Sequence, residues 1–323
     1  MIRCTNRVVA VGNKLENLSE RIRETVRMKT ILGRVVLGIF FALPLQAQPN
    51  SWRQTEHTLA RLNGTNVIWQ IVADPAQGKP YFHPLATPDG TVLTDLRPKD
   101  HYWHRGLWWS WKFINDLNYW EEDEQTHQSE AATELAGCQL QPHKDGSAEL
   151  KFYIKYHPWN APPVLTEQRL IAISAPTNGS YEINWTSEFT AVTNVTLTRT
   201  PLPGEPDGQS YGGYAGLSLR LNPGTRQWTF TNSAGASGVA ALHGKPASWM
   251  KFTAGPNLTA VAIFDDPRNN QHPVPWYVNQ GMPFFSPSPL FAKPLALRPG
   301  ERLVLRYRIL ITDHDCSITP PSK

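Results

Sequence analysis

The segment Asp100-His101-Tyr102-Trp103-His104-Arg105-Gly106-Leu107-Trp108-Trp109 places two histidines, an acid and an arginine within six residues. An imidazole titrates near neutral pH, so it can act as general base, general acid or metal ligand. Asp100 is placed to orient one of the two rings and fix its tautomer. On a strand, His101 and His104 would face opposite sides; on a turn they converge, and Gly106 points to a turn. Trp103 stands between them, and five of the chain's 12 tryptophans fall between Trp103 and Trp120. The competing reading is structural: a hydrogen-bonded knot beneath a Trp-rich core.

Three further segments carry candidate groups. Asp265–Tyr277 reads as a long polar loop ending in His272 and Trp276, able to complete a site begun elsewhere. Tyr211-Gly212-Gly213-Tyr214-Ala215-Gly216 leads into Leu217–Arg220, where Tyr214 and Arg220 face a ligand or pair with protein groups. The glycines there lack the strand–GxGxxG–helix setting of a nucleotide site. Glu188 falls on the polar side of an alternating run, and Glu121–Glu124 reads as a solvated acidic face. CxxC, HExxH, GxSxG and P-loop patterns are missing from the sequence.

The elements that must position these groups are strands. Leu150, Phe152, Ile154 and Tyr156 alternate with polar residues. So do Tyr181, Ile183, Trp185 and Phe189, and so do Leu303, Leu305, Tyr307, Ile309 and Ile311. Such alternation marks half-buried strands. Shorter strands are expected at 66–73, 91–95, 165–174, 217–221, 227–231 and 258–264, with turns at Asp145-Gly146 and Pro299-Gly300. Only Glu121–Ala136 carries a weak helical pattern. Proline, at 28 of 323 residues, works against long helices. The expected class is therefore all-β: one large antiparallel β-sandwich over residues 48–323, for which the mutarotase-like supersandwich is the analogue in size.

The formal charge of +4 is unevenly placed. Residues 1–47 hold eight basic and three acidic side chains, which leaves a net −1 from Gln48 onward. That distribution argues against a nucleic-acid partner. Met28 to Ala47 reads as a leader: a basic start at Lys29 and Arg34, an apolar run from Val35 to Leu45, and a small residue at the cleavage point. Residues 1–27 then read as an upstream extension from an early start. The alternative is an N-terminal membrane anchor. In either case the rest is exported, to the periplasm or beyond, with no membrane contact past the leader. An oxidising compartment would allow Cys138 and Cys316 to pair.

Several of these motifs together resemble one bacterial family. They are Tyr81–Pro84, Asp100-His101 with His104-Arg105-Gly106-Leu107, Gly216-Leu217 with Arg220, Trp249, His272-Pro273 with Pro275-Trp276-Tyr277, and Ser288-Pro289-Leu290-Phe291. The family is one of uncertain function labelled "methane oxygenase PmoA". The resemblance covers nearly all of residues 48–323 and implies a setting in polysaccharide-degrading bacteria. The label taken literally means a polytopic membrane subunit. A chain with one apolar span does not fit that, so methane oxidation is not expected.

Three functions follow. The first is an exported carbohydrate-active protein of epimerase, lyase or hydrolase type. In it His101 and His104 act as base and acid, with His272 completing the site. Arg105 and Arg220 hold a carboxylate or oxyanion, and Trp103, Tyr214, Glu188 and Trp276 bind a small molecule or oligosaccharide. No cofactor is expected in this reading. The second is a metal-dependent enzyme with His101, His104 and His272 on a divalent ion. The third is a non-catalytic glycan-binding or structural module. Oligomeric state is not written in the sequence.

Overall fold

The computed structural model describes residues 51–224, 228–254, 259–279 and 281–314. The leader expectation and Cys316 lie outside them; Cys138 is exposed. Among the described residues, twenty strands form three sheets. The first runs β1 (Ser51–Gln54), β2 (Thr58–Asn63), β3 (Asn66–Val72), β4 (Tyr81–Leu85), β5 (Leu107–Ser110), β13 (Gly216–Arg220), β18 (Phe284–Pro287), β17 (Trp276–Asn279). The second runs β14 (Thr229–Asn232), β15 (Trp249–Ala254), β16 (Thr259–Asp265), β20 (Arg302–Thr312), β11 (Ser180–Ala191), β10 (Leu165–Ile173), β9 (Ala148–Pro158), β8 (Ala131–Pro142). A small third sheet joins β19 (Leu295–Leu297), β12 (Val195–Thr198), β6 (Phe113–Ile114) and β7 (Leu117–Asn118). Neighbouring strands are antiparallel throughout. The described helix is one turn, Val239–Leu242, with a 3-10 turn at Pro75–Gln77.

The two large sheets pack face to face as an antiparallel sandwich, the class read from the sequence. Alternation explains the core. Leu150, Phe152, Ile154 and Tyr156 of β9 and Tyr181, Ile183, Trp185 and Phe189 of β11 point inward from the second sheet. They meet Trp69, Phe82, Leu107 and Trp109 from the first. Tyr181 donates its hydroxyl toward Ile68 O at 3.1 Å and Ala86 O at 2.7 Å, tying the two sheets across the core. Gly146 and Gly300 take positive φ at the expected turns.

Two expectations need correction. Residues 91–95 form no strand but bridge singly at Ala86–Val92 and Thr94–Leu221. Glu121–Ala136 is not helical: 121–130 is turn and loop, and β8 begins at Ala131. Pairing of β8 with β9 buries Ala131, Ala132 and Leu135, and that tertiary burial outweighs a weak local preference.

Candidate functional site

Four strands of the first sheet alternate in register. Leu107 and Trp109 of β5, Leu217 and Leu219 of β13, Trp276 of β17 and Phe285 of β18 enter the sandwich core. Their neighbours Trp108, Tyr277 and Phe284 must then face the opposite side. There they join Tyr81, Trp120 and Tyr214 in a second apolar cluster on the outer face. A cavity of about 470 Å³ opens against this cluster. His101, Trp103, His104, Trp120, Glu121, Tyr214, Tyr277, Asn279 and Phe284 are among its lining.

The histidines reach it through a tight loop. His101 N donates to Pro98 O and His104 N to His101 O, while Arg97 N donates back to His104 O. The turn brings both rings together, stacked at 4.8 Å and 22°. His104 also stacks on Phe284 at 5.2 Å. Gly106 closes the loop at φ +68, and a Cβ there would sit 2.3 Å from the Phe82 carbonyl oxygen. Only glycine accepts both conditions.

The two imidazoles differ in their surroundings. Asp100 meets His101 Nδ1 at 3.0 Å and receives Arg220 Nη2 at 2.9 Å on both oxygens. Burial pushes the Asp100 carboxyl up, but the hydrogen bonds from His101 and Arg220 outweigh it and hold the pKa down at about 2. An ionised carboxylate only accepts, so His101 carries its proton on Nδ1 and Nε2 keeps the lone pair when the ring is neutral. His104 is 2% exposed, and its Nδ1 has no partner. Burial, then the nearby His101 and Arg220, lower its pKa well below the ordinary histidine value, so it is neutral at pH 7.

Glu121 supplies the cavity's carboxylate. Tyr214 donates to its Oε1 at 2.8 Å, Asn118 to Oε2 at 2.7 Å, and Lys112 pairs with Oε2. Burial acts upward on this group, yet the Lys112 charge and these hydrogen bonds win and its pKa falls below the ordinary value. Its neighbour Glu122 turns into a buried cluster instead. Arg105 Nη2 meets Glu122 at 2.5 Å, and Lys79 and Arg97 approach it at 3.3 Å. Burial pulls Lys79 down to about 8.

Of the residues singled out in the sequence, His101, Trp103, His104 and Tyr214 line the cavity. Arg220 stands behind it through Asp100. The others are placed elsewhere. Arg105 is spent on Glu122 and on the Gln77 and Lys79 carbonyls. Glu188 pairs with Arg302 across β11 and β20. Trp276 is fully buried in the core, donating to Ala247 O at 2.8 Å, because strand parity sends Tyr277 to the cavity in its place. His272 bonds Asp265 at 2.8 Å, apart from the cavity lining. The three histidines therefore do not meet on one ion. Among the described residues no group of three His, Cys, Asp or Glu side chains is placed to hold a metal. Glu121 and Lys112 were missed. Four consecutive acids read as solvated, although Tyr119-Trp120 just before them marks a chain already diving inward.

Comparison with known proteins adds a family. No curated protein sequence matches the chain. Among solved structures, an α-galactosidase from Lactobacillus brevis is similar at 10% identity and a TM-score of 0.41, over 81% of this chain. The match spans 39% of that enzyme's length. A galactose mutarotase related enzyme from Lactobacillus acidophilus is similar at 9% identity and a TM-score of 0.28, over 82% of this chain and 98% of its own. A family model matches residues 54–320, and its description carries no methane-oxygenase label. The chain that folds this cavity belongs to DUF6807, a family of unknown function.

Proposed function

We propose that this chain is an exported carbohydrate-active protein whose outer-face cavity takes a sugar or short glycan, with His101 as its acid–base group. The observation that carries the reading is convergence: two imidazoles, one carboxylate and six aromatic side chains (Trp103, Trp120, Tyr211, Tyr214, Tyr277, Phe284) line one cavity of about 470 Å³. Aromatic faces stack on the C–H faces of sugars, and a few polar groups fix the hydroxyls. His101 Nε2 takes a proton from a bound hydroxyl or carbon, and Asp100 stabilises the imidazolium that results. Neutral His104 exchanges hydrogen bonds with the ligand, and ionised Glu121 accepts from its hydroxyls. The steps fit epimerase, lyase or hydrolase chemistry alike.

Charge narrows the ligand. Arg105 and Arg220 both serve protein carboxylates, so neither is left to clamp an acid group on the ligand. The lining then offers a uronate no cation, and its one carboxylate, Glu121, is itself paired with Lys112, which favours an uncharged or amino sugar over a uronate. Calorimetric titration with neutral, amino and acidic saccharides tests the reading. It expects binding of neutral or amino sugars that weakens at least about tenfold in His104→Ala, and product formation that is lost in His101→Ala. Absence of any saccharide binding removes the reading, and binding without product in the native protein removes its catalytic half.

A further inference from the structure

Five arginines among the described residues are buried to at least nine-tenths: Arg61, Arg105, Arg169, Arg199 and Arg220. Four have a carboxylate, namely Glu122 for Arg105, Glu167 for Arg169, Glu205 for Arg199 and Asp100 for Arg220. Arg61 is the exception. It is 2% exposed, its Nε has no partner, and no acid lies within ion-pair distance of it among the described residues. Removing a guanidinium from water without a counter-charge is unfavourable, because no partner repays the lost hydration. Arginine stays charged at pH 7 even where burial lowers its pKa, as it does here.

The surroundings hold Arg61 in place without neutralising it. Its guanidinium carbon lies 4.9 Å from the Trp52 ring centroid. Gly146, at φ +91 in the β8–β9 turn, makes room for it, since a Cβ there would come within 2.6 Å of Nη2. The group borders a shallow pocket of about 320 Å³ where β2 meets that turn, lined by Trp52, Arg61, Pro142, His143, Lys144 and Asp145. Lys144 adds a second cation. Asp145 is the opposing charge, but its Oδ1 is engaged by Ser147 N at 2.9 Å and Ser147 Oγ at 2.7 Å, closing the turn. His143 contributes its carbonyl to Trp52 Nε1 at 3.2 Å. None of these residues lines the outer-face cavity.

We propose that this pocket is an oxyanion site: it binds a carboxylate, sulfate or phosphate group, with Arg61 as the anchor, Lys144 as the second cation and Trp52 as the flanking wall. A guanidinium fixed by stacking and presented at a pocket is preorganised for a planar or tetrahedral oxyanion, which supplies the missing counter-charge. The same chemistry arises from a free inorganic anion or from an acidic saccharide.

The test uses the full chain, with sulfate, phosphate and glucuronate titrated separately while chloride keeps ionic strength constant. Thermal unfolding and calorimetry are the readouts. At least one probe is expected to raise Tm saturably, with affinity falling at least about tenfold in Arg61→Gln and less in Lys144→Ala. Saturation by sulfate or phosphate identifies a free anion; saturation by glucuronate alone identifies an acidic saccharide. Lys144 is exposed on the turn, so its variant keeps the test open if Arg61→Gln fails to fold. A wild-type response no larger than that to chloride overturns the proposal, as does wild-type affinity in the variants.

Discussion

His101 and His104 stack on one another, yet one leans on an ionised Asp100 and the other is buried without a partner. Their substitutions should therefore differ. His104→Phe keeps the stack on Phe284 and should retain stability while weakening ligand binding, whereas His104→Ala also opens a void. Asp100→Asn tests the relay at a second level. The Asp100 carboxyl titrates near 2 in the folded chain against 3.8 ordinarily. Its contribution to stability is therefore complete above about pH 4 and is lost as pH falls through about 2. Screened at a half-exposed carboxylate, that contribution is about 1 kcal/mol. Urea unfolding from pH 5 to 2 should show the loss in the native protein and a flatter profile in Asp100→Asn. The neighbouring histidines were legible in the sequence because a turn, which Gly106 favours, brings residues three apart together where a strand would separate them. Glu121 was not, since nothing in a run of four acids says which of them meets Lys112 and Tyr214, residues that only the fold brings near.

At the level of strands, alternation made β9, β11 and β20 readable, because one face of each is core and the other polar. The same rule gives no facing for β5, β13, β17 and β18, whose two faces are both apolar or buried, although a strand at 217–221 is expected and β13 is found there. A strand covered on both sides has no polar parity to read, so Trp276 and Tyr277 are indistinguishable in sequence. Paired substitutions separate them. Trp276→Ala should cost about 3–5 kcal/mol of stability, the usual result for a large core aromatic. Tyr277→Ala should cost less and weaken ligand binding more, as read by denaturant midpoints and calorimetry. Gly106→Ala should destabilise by at least about 1–2 kcal/mol from the positive φ alone. The contact with the Phe82 carbonyl adds to that, and the His101–His104 loop should lose its ligand affinity with it.

For the whole molecule, the net −1 from Gln48 onward accompanies a fold in which, among the described residues, four of the five buried arginines are tied to acids and Arg61 is not. Glu122 is the densest such point, and Glu122→Gln should cost about 3–5 kcal/mol by leaving Lys79, Arg97 and Arg105 facing one another. Export remains part of the proposal. Expressed with its own N-terminus in a secreting bacterium, the protein should appear outside the cytoplasm with Gln48 as its first residue, as N-terminal sequencing would show. A cytoplasmic product retaining residues 28–47 would withdraw it. Adjacent Glu121 and Glu122 serve separate sets of cations, one at the cavity and one in the interior. A one-residue insertion or deletion between Trp120 and Asp123 shifts these carboxylates out of register with their cations and should disrupt both sets in a single step. The length of the chain at this point is thus a constraint of its own, separate from the side chains it carries.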